Sequence, residues 1–213
     1  MICYAFSMAA NVPIVMDSAP TFFQRELERA KLERHCETSD IVDAYLVALL
    51  VDHILPGHRL SLVHEHSIAV LLAEALTWHG EKRLRRLRTL GDSVLFTSGF
   101  FEERLARAGI DPAYVHGLGA RAYAEAGRTL GFSTGAFDAS RVPDLFAELA
   151  NAFEALVMVL RELAFALEAN SLRDEAGTLS LYERWLATGS TTLAQALAQR
   201  GVMPLRHPST SSH

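Results

Sequence analysis

The run PDLFAELANAFEALVMVLRELAFALE, residues 143–168, is the most regular in the chain. Leu145, Phe146, Leu149, Phe153, Leu156, Val157, Leu160, Leu163 and Leu167 return every three or four residues. That interval lines them along one face of a helix, with Glu148 and Glu154 on the solvent side. Pro143 suits the first helical position, where its missing N–H is not needed.

The same punctuation recurs in both directions from this run. Asp111-Pro112 reads as an N-cap followed by proline, opening a helix to about residue 130. On that helix Gly117, Ala120, Ala124 and Gly127 form a small-residue face that a second helix can approach. A longer segment from Glu81 carries Leu84, Leu87, Leu90, Val94 and Leu95, and a kink is expected at Ser98-Gly99. Residues 61–79 and the strongly apolar 40–54 are further helices, the latter stopped by Pro56-Gly57. A first helix runs from Pro20 to about residue 37, where Thr38-Ser39-Asp40 marks a new N-cap. Past a loop at 131–142 and the long run, Ser180 to Glu183 has capping-box spacing and Ser190 caps a last helix. No stretch alternates like a half-buried strand, and no repeat is visible. The expected fold is therefore all-α: a single-domain bundle of about seven helices, with crossed as well as parallel packing open. The helical domain is placed at 19–204. Residues 1–18 read as a disordered leader or an over-extended start, and 205–213 as a disordered tail.

Composition fits this picture. Half of the 213 residues are apolar, 21% are charged, and the net charge is −5. The acidic balance argues against a dedicated nucleic-acid binder. The uncharged first sixteen residues lack the basic region of a signal peptide, and every apolar run is too short or too charged to span a bilayer. Cys3 and Cys36 form no CxxC pattern, which fits a reducing compartment. A cytoplasmic protein without membrane insertion is the expectation.

Candidate chemistry fails on spacing. His53, His58, His64, His66 and His79 crowd together, yet no pair has the His-Glu-x-x-His spacing, and no Glu has a His three residues later. Gly91-Asp92-Ser93-Val94 has the outline of an esterase signature. It sits inside a helical pattern without a preceding strand, and the late histidines lack their Asp partner. The basic run Lys82, Arg83, Arg85, Arg86 and Arg88 reads as the solvent face of an amphipathic helix, with no interleaved aromatics for base stacking. No catalytic residue, metal ligand or cofactor is assigned.

The stretch from Leu90 to Phe101 is different. Its small and hydroxyl residues are poor helix-interior choices, so something must offset them. Close packing at a kink is one reading, and a groove lined by Phe100 and Phe101 is another. Asp92 lies among apolar neighbours and needs a partner if buried, with Tyr114, Arg121 and Tyr123 as candidates. Asp92, Ser93, Thr97, Phe100, Phe101 and Tyr123 are the ligand or partner candidates.

Three blocks, YLVALL (45–50), LGDSVLFTSGFF (90–101) and LYERWLATGS (181–190), together resemble an uncharacterised family of bacterial all-α proteins of about 200 residues. The resemblance spans residues 20–204 and implies no activity, cofactor or partner. The expected role is a non-enzymatic interaction or regulatory module acting on a protein partner or on itself. The alternative is a small-molecule- or metal-binding helical bundle.

Overall fold

The computed structural model describes residues 19–54, 67–107, 109–133, 145–171 and 175–204. The expected leader and tail, Pro56-Gly57, Pro143, most of the 131–142 loop, and His58, His64 and His66 lie outside these residues. Among the described residues there are nine helices and no strand, so the fold is all-α, with two more helices than the expected seven. They are α1 Ala19–Arg34, α2 Asp40–Ile54, α3 Ile68–Thr77, α4 Gly80–Arg107, α5 Pro112–Ser133, α6 Leu145–Asn151, α7 Phe153–Ser171, α8 Glu175–Thr188 and α9 Thr191–Gln199. None of them is long and apolar enough to cross a membrane.

Local chemistry sets the helix ends. Ser39 caps α2, its hydroxyl accepting from Val42 N, and Asp111 caps α5 by accepting from Ala113 N at 3.0 Å. Ser190 caps α9, as its position suggests, by accepting from Leu193 N. Two sequence expectations shift. Ser180 opens no helix, because α8 already begins at Glu175. The α4 irregularity falls at Phe101, with φ −134° and ψ 27°, and not at Ser98-Gly99. From Leu145 the long run holds as α6 and α7; helical bonds Ala152 N to Glu148 O and Leu156 N to Ala152 O carry the ladder across the interruption.

The chain divides into two compact units, with the boundary inside α7 between Leu163 and Ala164. In the larger, Pro20–Leu163, α4 packs most extensively on α5, and also on α3 and α2. Its core includes Phe23, Leu27, Leu46, Leu50, Leu87, Leu95, Leu149, Leu156 and Leu160, each almost wholly buried. Each such side chain contributes about 1.5–3 kcal/mol of transfer free energy. The second unit packs Phe165, Ala169, Leu181, Trp185, Leu193 and Leu197 together, with Tyr182 against them. Its rim is tied by Arg184, which pairs with Glu168 and lies over the Phe165 ring.

The small residues explain how closely α4 is approached. A Cβ on Gly99 would lie 2.5 Å from Leu160 Cβ, and one on Gly91 would lie 2.7 Å from the Tyr123 ring. On α5 the close-contact face is Val115, Gly119, Ala122 and Ala126. The expected face of Gly117, Ala120, Ala124 and Gly127 is turned away from it, and Gly117 faces open space. Small residues lie on more than one side of α5, and only the positions of Phe153 and Val94 select the side that needs them.

Candidate functional site

The 90–101 block holds a polar knot. Asp92 lies on α4 with its side chain 15% exposed, so its carboxylate has given up most of its water. Tyr123, wholly buried on α5, donates to Asp92 Oδ1 at 2.8 Å, and Tyr45 on α2 donates to the same oxygen at 2.5 Å. Arg88, one turn before Asp92, faces Oδ2 at 3.5 Å, donates to the Tyr45 hydroxyl, and lies over the Tyr45 ring. Three helices are thus joined through one carboxylate.

Burial governs the protonation of this group. It raises the Asp92 carboxyl above its ordinary value, while hydrogen bonds from Tyr45 and Tyr123 and the charges of Arg88 and His53 pull it down without cancelling the rise. Burial likewise pushes both phenols up, and the neighbouring carboxylate adds to it. The phenols therefore stay protonated and act as donors to Asp92.

The other predicted residues are distributed around this knot. Thr97 is buried, and Ser93 is half-buried on the same helix. Phe100 and Phe101 are half-buried and join Phe96 in an aromatic cluster, with the His53 ring stacked on Phe96 at 4.6 Å. Of the expected partners of Asp92, Tyr123 is correct. Tyr114 is 56% exposed and Arg121 is also exposed. The second phenol is Tyr45, whose only signal in the sequence is a hydroxyl set among the apolar residues of 41–51 and needing a partner. Gly91 to Val94 lie within α4, where no nucleophile elbow can form. His53 Nδ1 lies 2.8 Å from Leu49 O, and His79 is exposed. Among the described residues no three His, Cys, Asp or Glu side chains converge as a metal site.

Glu148, expected on the solvent side, and Glu102 both have partners. Glu148 accepts from Ser39 N and Oγ at 2.7 and 2.6 Å, bracing the start of α2 against α6. Glu102 pairs with Arg161.

A groove of about 470 Å³ lies between α3 and α4. Leu71, Ala75 and Leu90 form its floor, Trp78 one wall, and Lys82, Arg85, Arg86 and Thr89 its rim. The floor is buried or half-buried, whereas Trp78 and all four rim residues are exposed. None of the six predicted site residues lines it. Arg86 lies 4.8 Å and Lys82 5.6 Å from the centre of the Trp78 ring. The basic run itself contains no aromatic, but Trp78 reaches it from across the turn at Gly80, where φ is +57°.

No family model, curated protein or solved structure matches the chain.

The knot and the groove differ in what they can do. Both Asp92 oxygens are engaged by Tyr45, Tyr123 and Arg88, so the knot is built to hold three helices. The groove opens to solvent with an apolar floor, an aromatic wall and positive charge at its rim.

Proposed function

We propose that the chain is a non-enzymatic interaction module, and that the α3–α4 groove receives an apolar, anionic partner. One observation carries this reading: exposed Trp78 stands beside Lys82 and Arg86, and neither cation has a carboxylate partner among the described residues. The neighbouring cations are engaged: Arg83 with Glu125, Arg85 with Glu81, and Arg88 with Asp92. Lys82 and Arg86 also sit four residues apart, a like-charge spacing that weakens a helix until an anion answers it. The cytoplasm is its proposed place of action, in accord with the free thiol of Cys36.

A small-molecule-binding bundle is the second reading. Its support is the groove's size, within the range of about 300–1,000 Å³ common for ligand sites. Against it stands the exposed rim, since sites for small ligands enclose most of the ligand's surface.

The fluorescent probe anilinonaphthalene sulfonate, apolar and anionic, tests the site. Saturable binding to the full chain, weakened by Trp78→Ala and by Lys82→Glu with Arg86→Glu, is expected. Binding that ignores these substitutions, or no binding, would remove the groove from the proposal.

A further inference from the structure

We infer that the occupant of the groove is an acidic amphipathic helix presented by a protein partner. This rests on the reading of the groove as a docking site and names what docks.

The shape argues for a helix. Leu71 and Ala75 share one face of α3, Trp78 stands just past its end in extended backbone, and Lys82, Arg85 or Arg86, and Thr89 follow α4. The lined stretch covers just over one turn of α3, extended by Trp78, and about two turns of α4, roughly 12 Å along α4. A trough between two helices of that length takes apolar anchors at i, i+3 or i+4, and i+7 of a third helix. The rim is exposed along its length, so a partner with a face of its own to bury is needed to cover it.

The charge argues for acidity. The whole chain carries −5, yet five of the seven residues from 82 to 88 are cationic. The two without carboxylate partners flank the aromatic wall. A Glu or Asp beside an apolar anchor would meet Lys82 or Arg86 at the rim while its neighbour entered the floor. Nucleic acid is the poorer fit: the groove offers one exposed aromatic and an apolar floor, not a stacking platform along a charged track.

Fluorescence anisotropy tests this on the full chain. The probe is a labelled peptide of about four helical turns, with Leu at anchor spacing and Glu beside each Leu. A second peptide has Lys in place of Glu, and a single-stranded oligonucleotide is the third probe. Expected is saturable, salt-sensitive binding of the acidic peptide alone, weakened about tenfold or more by Lys82→Glu with Arg86→Glu. Trp78→Ala should also weaken it. All three positions are exposed, so these variants test the surface and not the core. Equal binding of the Lys peptide, indifference to the substitutions, or preference for the oligonucleotide would overturn the inference. If neither peptide binds while the sulfonate probe still loads the groove, the acidic helix falls and the docking site stands. If that probe also fails, both fall.

Discussion

The Tyr123 hydroxyl reaches Asp92 Oδ1 at 2.8 Å from a side chain with no solvent exposure. Removing the acceptor takes from that buried hydroxyl the carboxylate it donates to, and Tyr45 loses the same oxygen. Asp92→Ala is expected to destabilise the fold by roughly 2–4 kcal/mol, the scale of charged hydrogen bonds lost with a donor left unsatisfied. Combined with Tyr123→Phe, the loss should be less than the sum of the two single losses, because both changes break one bond. Urea melts of the four species measure this, and strict additivity would count against the knot.

The same carboxyl predicts a pH signature. Burial lifts it above its ordinary 3.8, so the fold binds its proton more tightly than the unfolded chain does. Its contribution is complete below pH 3.8 and is lost as pH rises through the lifted value. Asp92→Asn cannot titrate. The stability of the wild-type chain relative to this variant should therefore fall as pH rises from the acid side towards neutrality. Melts of both proteins across that range supply the comparison, and a difference growing with pH would contradict the assignment.

Two glycines predict opposite signs. Gly99→Ala places a Cβ 2.5 Å from Leu160 Cβ, so α4 and α7 must part. A loss of about 1–3 kcal/mol is expected, as for other overpacked sites. Gly117→Ala meets nothing within 4 Å and lies inside α5. It should gain up to about 1 kcal/mol from helix propensity. Thermal melts giving both the same sign would show that the close approach is misplaced.

His35 ends α1 with φ +50°, the left-handed conformation that glycine adopts without strain. Cys36 N bonds to Lys31 O and His35 N to Leu32 O, the bond pair of a Schellman cap. His35→Gly is expected to stabilise by roughly 0.5–1 kcal/mol, the strain relieved exceeding the added freedom of the unfolded chain. A lowered Tm would show that the imidazole contributes more than its backbone strain costs.

Much of this architecture is local in origin, and so could be read from the chain alone. Apolar residues three and four apart define the helices, because a 3.6-residue turn stacks them on one side. Asp111-Pro112 and Ser190 mark helix starts, because an N-cap bonds to N–H groups only two or three residues away. The need of Asp92 for a partner was also legible, since a carboxylate among apolar neighbours must be answered if buried.

What answers it was not legible. Tyr45 lies 47 residues from Asp92 and Tyr123 lies 31, and no local spacing relates positions so far apart. The small residues of α5 showed that something comes close, but Phe153 and Val94 choose Gly119 over Gly117. The boundary within α7 is hidden in the same way, because the apolar stripe continues past Leu163 to Phe165 and Ala166. The basic run looked like any solvated helix face until Trp78 was brought beside it by the turn at Gly80. Helix formation depends on neighbours within one or two turns, and the chain order records those. A groove or a buried knot depends on which faces meet, and that is set by packing across the whole unit.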